Sequence, residues 1–288
     1  MTIPADLAQA RSQLAEREAH VARLVQELAE TNRGVVALYA ELDDRAQQLA
    51  RLSESKTRFL SDISHELRTP LSSIVNLAGL LLSHVDGPLL AEQERQVMMI
   101  RQSATWLTDL VNELLDVAKI ESGTVELRAE AFHLGALFRS LRGTLRPLAT
   151  NEAVALVIDD PDAGLELFTD EQRVAQVLRN FISNALKFTT QGEVRLSSAL
   201  EDGGMIRLTV ADTGIGIAPD DQARVFEEFV QVDGPIQRRV RGTGLGLPLS
   251  VKIARLLGGE VSLDSRPGLG SRFSLRIPRD VRQERAVP

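Results

Sequence analysis

The sequence contains no cysteine, which excludes disulfides, thiolate nucleophiles and cysteine-rich metal sites. Aromatic residues make up only 4% of the 288 positions, with one Trp and one Tyr, so a surface of stacked rings for single-stranded nucleic acid has little to be built from. No apolar run reaches the roughly 20 residues that cross a bilayer, and the start, MTIPADLAQARSQ, lacks the basic and apolar regions of a signal peptide. Lys and Arg are scattered and the net charge is -7, which gives no electrostatic footprint for nucleic acid. These absences point to a soluble, cytoplasmic chain with no membrane span and no nucleic-acid partner.

What is present begins with a repeat. Leu7, Leu14, Val21, Leu28, Val35, Leu42 and Leu49 recur every seven residues, with Ala10, Leu24, Leu38, Leu52 and Phe59 at the complementary position. Such a seam predicts a coiled coil and hence a homodimer. Arg17, Thr31, Arg45 and the mid-helix Gly34 interrupt it, and a single amphipathic helix is the plainer alternative. Residues 1–55 are read as a coiled-coil signalling helix.

Residues 56–121 are read as two long helices joined by "VDGP" at 85–88, the second over about 91–120 with an apolar stripe from Val97 to Val117. Such a hairpin exposes an apolar face that a second copy would cover as a four-helix bundle. Pro70 removes a backbone bond and is expected to kink the first helix. After "ESG" at 121–123, strand-like runs at 124–127, 153–158, 165–168, 192–200, 204–211, 259–264 and 271–277 alternate with helices near 134–149, 170–187, 220–229 and 246–257. Residues 122–278 therefore read as an α+β sandwich, with helices on one face of a mixed sheet, and 279–288 as a frayed tail.

Four stretches carry chemistry. "FLSDISHELRTPLSS" (59–73) sets His65 between Asp62 and Glu66; alone, it fits an exposed helical imidazole, a metal ligand or a nucleophile. "NFISNALKFT" (180–189) puts Asn180 and Asn184 on one helix face with Lys187 a turn further. Amide oxygens there suit Mg²⁺ shared with phosphates, or are simply surface amides. "DTGIGIAPD" (212–220) ends a strand in Asp212, beside Gly214 and Gly216; it is a capped tight turn or an acceptor for an exocyclic amine. "RGTGLGLPLS" (241–250) places Gly242, Gly244 and Gly246 before a helix, a phosphate cradle that matches neither the Walker loop nor the dinucleotide fingerprint. The remaining histidines, His20, His84 and His133, have no metal-ligand spacing.

Taken in order, "SHELRTPL", "NFISNALKFT", "DTGIGI", "FEEF" (226–229), "GTGLGL" and "PGLGSRFSL" resemble the boxes of the sensor histidine kinases of two-component systems, over residues 53 to 278. The resemblance implies a Bergerat-type ATP-binding fold of the gyrase/Hsp90/MutL kind. It implies that His65 is the phosphoacceptor, Glu66 orients it, and Thr69 positions water in the reverse reaction. Asn184 would hold Mg²⁺, Asn180 support the site, Lys187 contact phosphate, Phe188 line the adenine pocket and Asp212 accept the adenine amine. Residues 231–246 would be the ATP lid, with Arg241, Gly242, Thr243, Gly244, Leu245 and Gly246 wrapping the triphosphate and Arg238 and Arg239 nearby. The implied partners are a second copy, a response regulator and a separate sensor or upstream sensory domain. An ATPase of the same superfamily and a nucleotide-binding scaffold are the alternatives.

Overall fold

A computed structural model of the chain describes residues 5–85, 87–149, 151–162, 164–231 and 242–282. Two compact units divide at Lys56, Met1–Lys56 and Thr57–Pro288. Helix α1 (Ala5–Leu82) carries the heptad seam and the stretch around His65. Leu14, Val21, Leu28, Leu42 and Leu49 are exposed along the seam in the single chain. Pro70 lies inside α1 without ending it. A helix that loses one backbone bond keeps those above and below it, so α1 runs on past the proline.

In the second unit α1 turns through 83–90, where His84 (φ 56°) and Gly87 (φ 118°) take left-handed backbone, into α2 (Ala91–Glu121). Leu71 and Ala78 of α1 and Ala104, Val111 and Leu115 of α2 are buried. An open apolar groove between the two helices is lined by Leu71, Ile74, Met99, Ile100, Ala104 and Leu107.

Beyond α2 come β1 (Glu130–His133), α3 (Leu134–Leu145), β2 (Val154–Ile158), β3 (Glu166–Thr169), α4 (Glu171–Phe188), β4 (Gly192–Glu201), β5 (Met205–Asp212), the single-turn α5 (Pro219–Gln222), α6 (Gly246–Leu256), β6 (Glu260–Arg266) and β7 (Gly270–Pro278). The main sheet has the order β2-β4-β5-β7-β6, and β1 pairs with β3 separately. Only β2 and β4 run parallel; the other neighbours are antiparallel. Alternate residues Val194, Leu196, Ile206, Leu208, Val210, Phe273, Leu275 and Ile277 are buried on one face, with Phe138, Phe181, Ile182 and Ile253 of the helices in the same core. The opposite face is polar: Glu201 holds Arg207 and Arg276, and Thr209 bonds Ser274 across strands at 3.0 Å. Helices on one face of a mixed sheet are the architecture the sequence predicts.

Three local expectations are corrected. Residues 124–127 are not a strand; the strand lies at Glu130–His133, fixed by pairing with β3 from Glu130↔Thr169 to His133↔Glu166. Helix α3 ends at Leu145 and gives way to a 3-10 turn at Arg146–Leu148, with Pro147 inside it. The helix expected over 220–229 is one turn followed by a 3-10 turn at Arg224–Phe226, because Glu227 leaves with ψ 143° and Phe229 takes φ 62°.

Candidate active site

Helix α4 starts on Asp170, whose carboxylate accepts from Arg173 N–H and from Arg128 N–H of the segment between α2 and β1. Its apolar face, from Val174 to Ala185, lies in the core, and that orientation fixes the amides. Asn184 Nδ2 donates to Asn180 Oδ1 at 3.2 Å, and Asn180 Nδ2 donates to Ser250 Oγ at 2.8 Å. Ser250 then donates to the Gly246 carbonyl at 2.9 Å. This relay joins α4 to the first turn of α6. It engages both ends of the Asn180 amide, and among the described residues Asn184 Oδ1 accepts no bond. A free amide oxygen is a hard donor of the kind Mg²⁺ takes together with phosphates and water, so the residues present fit that ion. Among the described residues no group of three His, Cys, Asp or Glu could hold a metal unaided.

Asp212 ends β5 beside the glycine turn. Its Oδ1 accepts from Gly214 N–H at 2.8 Å and from Ser271 N–H at 3.2 Å. Oδ2 is left as an acceptor. Burial pushes the Asp212 carboxyl up from its usual range, and the Gly214 and Ser271 N–H groups draw it partly back. The turn is tight: a Cβ on Gly214 would stand 2.5 Å from Phe188 O, and one on Gly216 (φ +66°) 2.0 Å from Arg266 O. Only glycine fits such approaches. Phe188, at the end of α4, thus shares its carbonyl with this turn, to which Ile215 N–H donates.

The second glycine stretch begins with a neck. Phe229 N–H donates to Gly244 O at 3.0 Å, and Gln231 Nε2 donates to Gly242 O at 2.7 Å. Gly244 takes φ +72° with Phe229 Cα 2.9 Å from its ideal Cβ. Thr243 Oγ1 accepts from Leu245 N–H, and Leu245 is buried. Arg238, Arg239, Arg241 and most of the lid expected at 231–246 lie outside the described residues. Phe226 of the "FEEF" stretch packs edge-on to Phe273 at 6.5 Å, and Phe273 meets Phe181 at 5.5 Å.

His65, Glu66 and Thr69 are exposed on α1. Thr69 Oγ1 donates to the His65 carbonyl at 3.5 Å, so the two residues share a helix face. Among the described residues no hydrogen bond joins Glu66 to the His65 ring. Arg68, three residues on from His65, donates to Asn112 of α2 at 3.1 Å, and the next residue, Glu113, accepts from Thr243 of the glycine stretch. One turn of α2 therefore stands between the box around His65 and the glycine stretch.

Two family models match the chain: the His Kinase A (phospho-acceptor) domain at residues 55–123, and the histidine kinase-, DNA gyrase B- and HSP90-like ATPase at 169–281. The chain belongs to the sensor histidine kinases. An uncharacterized sensor-like histidine kinase of Rhizobium meliloti is 38% identical over 245 residues, 85% of this chain and 47% of the relative. The autoinducer 2 sensor kinase/phosphatase LuxQ of Vibrio parahaemolyticus is 35% identical over 248 residues, 84% of this chain and 29% of the relative. The crystal structure of full-length ShkA in complex with AMPPNP is similar, with a TM-score of 0.62 and 35% identity, covering 76% of this chain and 45% of that one. The chain spans about half or less of the length of these relatives.

Within this histidine kinase fold several residues have contacts that the motif stretches did not assign to them. Ser250 and Ser271 belong to α6 and β7, and they orient Asn180 and Asp212 from elements distant in sequence. Asp109 and Glu113 come from the hairpin. The one available signal for Ser250 is its position four residues after Gly246, on the same helix face.

Proposed function

We propose that the chain is an ATP-dependent, autophosphorylating protein histidine kinase core. The observation that carries this reading is the relay Asn184–Asn180–Ser250–Gly246 together with an anchored Asp212, in one compact unit with an exposed histidine.

Asp212 Oδ2 accepts the adenine amine, and Phe188 lies beside the base. Lys187 and the N–H groups of the Gly242–Gly246 stretch receive the phosphates, and Arg241 is read with them. Mg²⁺, held through Asn184 Oδ1 and the nucleotide's own oxygens, would supply charge neutralisation. A neutral imidazole nitrogen of His65 attacks the γ-phosphorus. The P–N bond forms as the bond to the β–γ bridging oxygen breaks and ADP leaves. Glu66 holds the other ring N–H and balances the imidazolium charge. Asn180 is an amide and cannot deprotonate water, which favours transfer to histidine over hydrolysis. The phosphoryl group then passes to an aspartate of a response regulator. Thr69, on the face of His65, would place water for the reverse reaction.

The reading includes a homodimer, in which a second copy covers the open groove between α1 and α2 and pairs the heptad seam. Residues 1–55, 56–121, 122–278 and 279–288 serve as signalling helix, phosphoacceptor hairpin, ATP-binding domain and tail. A separate sensor or upstream sensory domain would supply the signal. No helix among the described residues is long and apolar enough to cross a membrane, and we place the core in the cytoplasm.

Incubation with γ-labelled ATP and Mg²⁺ tests the assignment. The label is expected to be acid-labile and base-stable, lost in His65→Gln, and lost in Asn184→Ala with the melting curve preserved. Label persisting in His65→Gln would overturn it.

A further inference from the structure

Outside the motif stretches, one buried side chain has its whole hydrogen-bonding capacity engaged around the Asp212 turn. Ser265, near the end of β6, is buried. Its Oγ accepts from Ile217 N–H at 2.8 Å, donates to the Gly270 carbonyl at 3.0 Å, and stands 2.9 Å from Ser271 Oγ. A serine hydroxyl has one hydrogen and two lone pairs. The Gly270 carbonyl can only accept, so it takes the Ser265 hydrogen. Ile217 N–H takes one lone pair, and the Ser271 hydroxyl must donate to the other. Ser271 in turn gives its backbone N–H to Asp212 Oδ1, which also receives Gly214 N–H. The contacts close a circuit: Asp212, the glycine turn as far as Ile217, Ser265, Ser271, and back to Asp212. Gln222, the last residue of α5, braces it. Its Nε2 donates to the Ile217 carbonyl at 3.1 Å and to the Ser265 carbonyl at 2.9 Å.

The backbone joins these segments without help from the Ser265 hydroxyl. Gly268 N–H donates to Ile215 O at 2.7 Å. Ser265 and Ser271 stand opposite each other in the β6–β7 pairing. A Cβ on Gly270 would stand 1.9 Å from Asp212 O, so β7 begins hard against the end of β5. Removing one hydroxyl therefore leaves the frame in place. It strips Ile217 N–H and the Gly270 carbonyl of a partner and frees the Ser271 hydroxyl to turn. Buried polar groups left unpaired are costly, so the two segments that hold Asp212 Oδ1 shift toward other partners. The quantity at stake is the aim of the Asp212 carboxylate.

We propose that Ser265 is a positioning residue that gives the nucleotide site its preference for a purine bearing an exocyclic amine, an inference that rests on the reading of Asp212 Oδ2 as the acceptor of that amine. Ser265 sets the places of the two N–H groups on Oδ1, and they fix where Oδ2 points. An amine hydrogen at that spot is bonded. A purine with a carbonyl in place of the amine brings oxygen against oxygen and gains nothing from the aim. Ser265 acts only through this carboxylate, because Lys187 and the Gly242–Gly246 stretch receive the phosphates elsewhere. This deepens the proposed kinase reaction by naming what selects its nucleotide.

Titration of the full-length chain with two probes tests the role: non-hydrolysable analogues of ATP and of inosine triphosphate, each with Mg²⁺. The parent chain is expected to prefer the adenosine analogue. Ser265→Ala is expected to bind that analogue about three- to tenfold more weakly, the worth of one hydrogen bond, and to bind the inosine analogue as the parent does. A general loosening of the fold would weaken both alike. Gln222→Met keeps the bulk of the brace, removes both of its donors and is expected to narrow the preference in the same direction. It carries the test by itself if circular dichroism shows Ser265→Ala unfolded. Equal weakening of the two analogues, or an unchanged preference, in either folded variant would overturn the proposal. Asp212→Asn separates this role from the site it serves. If the parent shows no preference, or Asp212→Asn keeps the parent's preference, the reading of Asp212 itself fails. If Asp212→Asn loses the preference while Ser265→Ala keeps it, only the role of Ser265 fails.

Discussion

Asp212 combines an anchored oxygen with a free one, and that geometry makes its protonation state decisive. The carboxyl is raised by burial, so its folded value lies above its unfolded one. As pH falls through the raised value the native state takes up a proton before the unfolded chain does. Protonation therefore adds stability on the acid side, and that contribution is lost as pH rises through the folded value. Nucleotide affinity has the opposite sign, because the adenine amine donates to the ionised form. Titration with an ATP analogue is expected to show constant affinity above the raised value and declining affinity below it. Asp212→Asn should remove this pH dependence and weaken binding by about 10- to 100-fold, the worth of one charge-assisted hydrogen bond. Unaltered affinity in Asp212→Asn would exclude the contact. At this scale the sequence is informative where a site is built from close neighbours, as with Asn180 and Asn184 or Asp212 and Gly214. It is silent where partners meet by folding. His133 gains an acid that lies 33 residues away in sequence: Glu166 stands opposite it through strand pairing, 4.0 Å from its Nε2.

Among elements, α4 and α6 act as one body through the Asn180–Ser250–Gly246 relay. A Cβ on Gly246 would stand 2.4 Å from Asn180 Oδ1, so Gly246→Ala must push that amide out of its bond to Ser250. The helix itself accepts alanine readily. The variant is therefore expected to keep its circular dichroism and to autophosphorylate about 100-fold more slowly, the cost of misplacing a positioned group by about an ångström. A normal labelling rate would show that the amide is not needed where it stands. The long helices and most strands of the sheet are legible in the sequence, because burial imposes periods of 3.6 and 2 on the apolar residues. The displaced strand at Glu130–His133 and the broken segment after Pro219 are not. A strand is fixed by its partner, and a short helix is undone by the backbone demands of the segment that succeeds it, here Phe229 against Gly244.

For the molecule as a whole, the exposed seam from Leu14 to Leu52 predicts that residues 1–50 contribute to self-association. Each apolar side chain covered in a dimer is worth about 1.5–3 kcal/mol when fully buried. Deleting these residues should therefore weaken the dimer by more than about tenfold in sedimentation equilibrium, and undiminished association would assign dimerisation to the hairpin alone. The order of the boxes made the family recognisable from sequence, but the docking of α2 on the ATP-binding layer had no sequence signal. Its contacts join residues such as Asp116 and Gln176, which carry no motif. Those contacts include partly exposed ion pairs, Arg173 with Asp116 and Lys252 with Glu121. The screening length in water shrinks from about 10 Å at 0.1 M salt to about 3 Å at 1 M. The ionic strength of the surrounding fluid therefore bears directly on how firmly the hairpin is held.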